Sequence, residues 1–213
     1  MNMKGEAFNA ISHLVGASMG IIITVLLIIF ASLYGTVWHI VSFSLFGTTL
    51  ILLYLSSTLY HFSRKDHWRN RLQRVDHAMI LVFIAGTYTP FTLAVLHGAW
   101  GWGIFGIVWS IALLGVLWKF IAKKILGWHS TLLYVLMGWI IVVALYPLSQ
   151  SLSPESMRYL VLGGIFYTLG ALIYSLENHP RFISSSITPH NIFHILVLLG
   201  STSHVLAIVH III

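Results

Sequence analysis

Long apolar stretches alternate with short polar breaks along the whole chain, and this pattern predicts seven helices. A helix needs roughly 20 mostly apolar residues to cross the hydrocarbon core of a bilayer. Stretches of that kind fall at about 11–33, 38–62, 76–97, 101–122, 129–149, 157–177 and 190–212. The breaks carry the chemistry of helix ends. Tyr34-Gly35 closes the first stretch, His97-Gly98 closes the third, and Gly127 precedes the fifth. Ser153-Pro154 and Thr188-Pro189 open the sixth and seventh as helix-start signals. The first apolar stretch is as long as the others and no small-residue cleavage site follows it, so no cleaved leader is expected. The expected fold is all-α: an integral membrane bundle of seven transmembrane helices forming a single domain over 1–213, without internal repeat or linker.

Composition removes the soluble alternatives. At 58% hydrophobic and 8% charged, the chain lacks the polar surface to cover itself in water. It has no cysteine, which excludes disulfides, iron–sulfur ligation, thiolate nucleophiles and thiolate zinc sites. The five acids are Glu6, Asp66, Asp76, Glu155 and Glu177, too few for a carboxylate cage around calcium. Histidine, with twelve copies, is the plentiful ionisable residue, so any metal site must be built mainly from imidazoles.

The net charge of +6 speaks to orientation, and no nucleic-acid partner is expected. Positively charged loops stay in the cytoplasm. One side of the predicted bundle carries Lys4, Arg64, Lys65, Arg69, Arg71, Arg74, Lys119, Lys123, Lys124 and Arg181, which is ten of the eleven basic residues; Arg158 falls on the other. The expected topology has the N-terminus in the cytoplasm, the C-terminus outside, and the chain as a multi-pass protein of the cell membrane. The basic connection between the second and third helices should lie against anionic headgroups.

Ionisable groups inside or at the edge of a spanning segment are costly, and each is a functional candidate. Asp76 opens the third predicted helix, and its plain reading is a first-turn acid favoured by the helix dipole and paired with Arg74. His190 and His194 stand four apart at the start of the seventh, which places both imidazoles on one face, as chelation from a helix requires. With twelve histidines in the chain, close to one such pair is expected by chance alone. Ser57 and His61 share the same spacing at the end of the second helix. A lone serine there ordinarily bonds back to its own backbone, and a helix-end histidine ordinarily sits at the interface.

The topology raises these odds, because it was fixed from lysine and arginine alone. It puts the end of helix two and the starts of helices three and seven on the cytoplasmic side. Ser57 and His194 then lie only about 6 Å deeper than His61 and His190. Three neutral imidazoles with an open fourth position are the ligand set of a catalytic zinc site, where bound water ionises near neutral pH. Asp76 would offset part of the cation's charge and handle a proton, and Ser57 would be a hydrogen-bond partner.

In combination, Ser56-Ser57-Thr58-Leu59-Tyr60-His61, Asp76-His77, Ala85-Gly86-Thr87-Tyr88-Thr89-Pro90 and the pair His190 and His194 resemble the haemolysin III branch of the progestin and adipoQ receptor family, over nearly the whole chain. The resemblance implies seven helices with a cytoplasmic N-terminus, and Zn2+ held by His61, His190 and His194 with Asp76 and Ser57 close by. It also implies kinship with adiponectin receptors and alkaline ceramidases, and hence a zinc-dependent hydrolase acting on an amide bond of a membrane lipid. Alternatives are a zinc-stabilised, non-enzymatic regulator of membrane state and a cytolytic protein, as the branch name suggests. The chain has neither the receptors' long N-terminal region nor a sizeable outer tail, so hormone reception is not expected.

Other residues carry lesser expectations. His13 and His129 are candidate substitutes or helpers near the same face. His77 points about 100° away from Asp76 around the helix. His39 and His97 belong to the outer side, and His204 is too deep for the same ion, fitting instead a bond across helices. Pro90 should bend helix three, with Thr87 or Thr89 satisfying the carbonyl it frees. Trp38, Trp100, Trp102 and Trp128 read as interfacial anchors. Gly163, Gly164 and Gly170, and Gly101, Gly103 and Gly106, suggest close helix packing.

Overall fold

The structure, a computed structural model, describes residues 3–64, 66–121, 127–177 and 187–212. Lys65, Lys123, Lys124 and Arg181, used above for orientation, lie outside the described residues. The described residues form helices and no strand. These are α1 (Met3–Tyr34), α2 (Val37–Phe62), α3 (Asp66–Thr89), which runs on as a π-helix over Pro90–Leu96, and α4 (Gly98–Ile121). After them come α5 (Trp128–Trp139), a 3₁₀ segment (Ile140–Ala144) and α6 (Leu145–Ser151) in one line, then α7 (Pro154–Tyr174) and α8 (Pro189–Ile212). Together they make seven helices long and apolar enough to cross a membrane.

Two boundaries differ from expectation by more than fraying. The first helix begins at Met3 rather than near residue 11, and α3 begins at Asp66 rather than at Asp76. Both early segments are more polar than the runs that follow them, yet the helices continue through them, and the candidate spans start at Gly5 and His67. Asp76 therefore lies almost three turns inside α3, and its reading as a first-turn dipole acid is wrong.

α1 packs on α2 and α8, α2 on α3, α3 on α4, and α7 on α8, while α5 meets α3 and α7. The core is filled by Phe43, Phe46, Leu81, Phe91 and Val108, all essentially inaccessible. Where the backbone is in hydrocarbon its polar groups must be satisfied from within. Side-chain hydroxyls along the spans follow the same rule: Ser18 bonds the Leu14 carbonyl, Thr24 that of Gly20 and Ser201 that of Val197.

The helix change at Pro90 is a switch to π geometry, closed by the His97 amide on the Thr92 carbonyl. Thr87 and Thr89 bond the carbonyls of Ile84 and Ala85, not that of Gly86, which is the one proline leaves without a donor. The interruption in the fifth span is bridged from α3. The Tyr88 hydroxyl donates toward the carbonyls of Met137 and Gly138 and accepts from the Ile141 amide.

The glycine expectation splits. A Cβ on Gly163 would run into the His204 ring, and one on Gly170 would touch Phe193, so those two do mark close approach of α7 and α8. Gly164, Gly103 and Gly106 have open space before them and mark none.

A candidate metal centre beside a lipid-sized cavity

His61 at the end of α2 and His190 and His194 on the first turns of α8 meet. Their ring centroids form a near-equilateral triangle, with His61 5.1 Å from His190, His61 4.9 Å from His194, and His190 4.9 Å from His194. Each offers a ring nitrogen, and the three nitrogens lie within 4.8 Å of one another. Two metal–nitrogen bonds span at most about 4.2 Å, so small side-chain rotations bring all three onto one ion. The group spans two helices far apart in sequence. Its spacing is set by α1, which packs between α2 and α8 and touches both.

The opposite edges of these rings are spoken for. His61 Nδ1 lies 2.7 Å from a Glu6 carboxylate oxygen, and His190 Nδ1 lies 3.0 Å from a Glu177 oxygen. The His194 ring lies close to the Asn9 backbone carbonyl. Such partners hold each imidazole by one nitrogen and leave the other available, which is how histidine metal ligands are usually oriented. His61 Nε2 and His194 Nδ1 are buried without a hydrogen-bond partner among the described residues. A buried unsatisfied nitrogen is costly, and a cation at the centre of the triangle would remove that cost. The donor set and the orphaned nitrogens therefore fit a zinc-class ion.

Glu6 and Glu177 were missed by sequence reasoning. Glu6 also takes a 2.7 Å bond from Arg69, whose guanidinium bonds the Ser63 carbonyl and lies over the Tyr60 ring. Glu177 follows the end of α7, outside the spanning segments. Burial, the largest single influence, pushes its carboxyl up, but the hydrogen bond to His190 and the charges of His190 and His77 together hold it below the usual range. The available signal was scarcity. With five acids in the chain, one just before the first apolar stretch and one at the very end of the sixth deserve the same weight as Asp76.

Asp76 and Ser57 come together beside this group. Ser56 and Thr58 bond back to the carbonyls of Leu53 and Tyr54, whereas the Ser57 side chain lies beside the Asp76 carboxyl. Asp76 is buried, and both residues line a cavity of about 590 Å³ that His190 and His194 also face. His13 is next to the triangle but outside the ligand group, its ring stacked on His194 at 3.8 Å. His129 is exposed and stacked on Trp128, so the structure does not bring it to the site.

The cavity extends away from the triangle between α3, α5 and α7 as far as Phe91 and His204. His204 is buried as expected, but its Nδ1 bonds the Gly200 carbonyl of its own helix rather than another helix. Trp139, Val142, Val161 and Ile165 line the cavity and are also exposed on the outer face of the bundle. The cavity thus opens sideways between the fifth span and α7, toward where lipid tails lie.

Residues 1–205 match the family model described as "Haemolysin-III related". The chain belongs to the haemolysin III family. It is 43% identical over 201 residues to "Hemolysin-3 homolog" of Bacillus subtilis (strain 168), covering 94% of this chain and 91% of that protein. It is 39% identical over 199 residues to "Hemolysin-3" of Bacillus cereus, covering 93% and 88%. Family membership and the seven apolar helices together make it a multi-pass membrane protein.

Proposed function

We propose that this haemolysin III family protein is a zinc-dependent hydrolase of a lipid amide, with His61, His190 and His194 holding the ion. The observation that carries the reading is the three-histidine group, oriented from behind by two carboxylates, opening on an apolar cavity with a lateral mouth. When bound, a divalent cation of this kind polarises a carbonyl and lets water ionise near neutral pH.

The chain's own residues supply the rest. The cavity takes the acyl chain and excludes bulk water, which strengthens electrostatic interactions at the reacting end. Asp76, with Ser57 beside it, accepts a proton from the water that adds to the acyl carbon. It then returns that proton to the nitrogen as the carbon–nitrogen bond breaks, leaving a carboxylic acid and an amine. Glu6 and Glu177 keep the two imidazoles in the tautomer that presents a lone pair. The Lys and Arg distribution favours an N-terminus in the cytoplasm of a cell-membrane protein and a site near the cytoplasmic face, a depth at which lipid amide and ester bonds lie.

The test is release of fatty acid from a panel of amide lipids in detergent or vesicles by metal-loaded protein. Metal-dependent release, lost in Asp76→Asn, supports the reading; metal-loaded wild type inert across the panel removes it. One observation favours a second reading: the histidine group ties α2 to α8 and, through Glu6, to α1, which a purely structural ion would also do. In that regulator, Asp76→Asn leaves the cellular effect intact as long as metal binds. The relatives' names suggest lysis, but the spans offer no polar stripe to line an aqueous pore. Dye or ion leakage from liposomes containing the purified protein would revive that alternative.

A further inference from the structure

A second polar corner faces the same cavity where α4 meets α5, and neither the proposed reaction nor the family match uses it. Lys119, on the last turn of α4, is buried at 4% exposure. Its ammonium donates to Ser130 Oγ at 2.6 Å and sits over the Tyr134 ring at 5.3 Å. The Tyr134 hydroxyl donates to the His77 carbonyl at 2.9 Å. Among the described residues, no carboxylate lies within ion-pair distance of Lys119. Arg74 donates to the Lys119 carbonyl and brings a second positive charge to this corner.

A buried ammonium with one neutral acceptor and no counter-ion is costly. Here the cation stands one hydrogen bond behind a cavity wall formed by Gln73, His77, Ser130 and Tyr134. Coulomb attraction falls only as the inverse of distance, so an anion in the cavity would feel it strongly at low dielectric. Charge around the cavity is segregated: Asp76 and Glu177 lie by the histidines, while Lys119 lies at the α4–α5 corner.

We propose that this corner binds the phosphate of a lipid head group, with Ser130 in the cavity wall, the Lys119 charge directly behind it, and the acyl chain running along Ile80, Phe83 and Ile84 into the cavity. A phosphate at this wall supplies the counter-charge that the buried ammonium lacks. The site deepens the hydrolase reading by naming an anionic phospholipid as the occupant, yet it requires no turnover.

The experiment compares 1-oleoyl-lysophosphatidic acid with monoolein, which share glycerol and acyl chain and differ by the phosphate, for binding to the full-length protein in detergent. Wild type should favour the phosphate lipid by about tenfold or more, as expected for a charge-assisted hydrogen bond. Lys119→Gln should bring the two near parity, and Lys119→Arg should keep most of the difference. The preference should survive in the double variant His190→Ala/His194→Ala, which separates this corner from any phosphate held by a metal. Equal binding of the two lipids by wild type overturns the proposal without needing a folded variant. So does a preference untouched in folded Lys119→Gln or lost in the double histidine variant. Full competition by inorganic phosphate at similar concentration would replace the lipid with a free anion.

Discussion

Histidines stand at both ends of the bundle, and the two ends treat them differently. On α2, His39 and His61 are about 33 Å apart by helical rise. His61 is buried, bonded to Glu6 and in contact with two other imidazoles. His39 is half-buried and spends its Nδ1 on the Thr36 backbone amide, capping the start of its own helix. His97 is exposed in a left-handed turn with φ of 47°, and His210 stacks on Tyr159. Among the described residues, no carboxylate pairs with a histidine at that end. What distinguishes His61 and His190 from a cap or a surface ring is therefore the acid placed behind each.

That comparison can be pressed hardest at Asp76. Asp76→Asn keeps the shape and the contact with Ser57 but loses the base. Lipid-amide cleavage should fall by about 10²- to 10⁴-fold with metal content unchanged, as read by fatty-acid release beside elemental analysis. Loss of metal together with activity would instead make Asp76 part of the ion's hold.

Next come the acids behind the rings. Glu6→Gln and Glu177→Gln should each weaken metal affinity by about 10- to 100-fold in competition with a chelator. No change in either would mean that the three rings are oriented by packing alone. The smallest effects belong to the other end. His97→Ala should leave metal affinity within about twofold, while His39→Ala should cost about 0.5–1 kcal/mol of thermal stability through the lost cap and none of the metal.

The seven spans were legible because a bilayer demands long apolar runs, and the layer shared by Ser57, His61, His190 and His194 followed from helical rise and charge asymmetry. Lateral adjacency was not legible, since no local pattern says that α1 stands between α2 and α8. The polar first turns of α3 read as a loop because helix propensity is weak beside hydropathy, and that misplaced Asp76 at a helix start. Glu6 and Glu177 escaped for a related reason. Glu6 precedes the first apolar stretch and Glu177 ends the sixth, places where an acid is ordinarily solvated, and only the fold turns them back onto histidines.

The central claim is that three histidines on two helices hold one ion, and metal content tests it directly. Elemental analysis of the detergent-purified protein, after chelation and zinc re-addition, should find about one zinc per chain in the wild type. None should remain in folded His190→Ala/His194→Ala, and Asp76→Ala should retain it. A folded wild type that takes up no zinc, or a double variant that keeps it, would contradict the account.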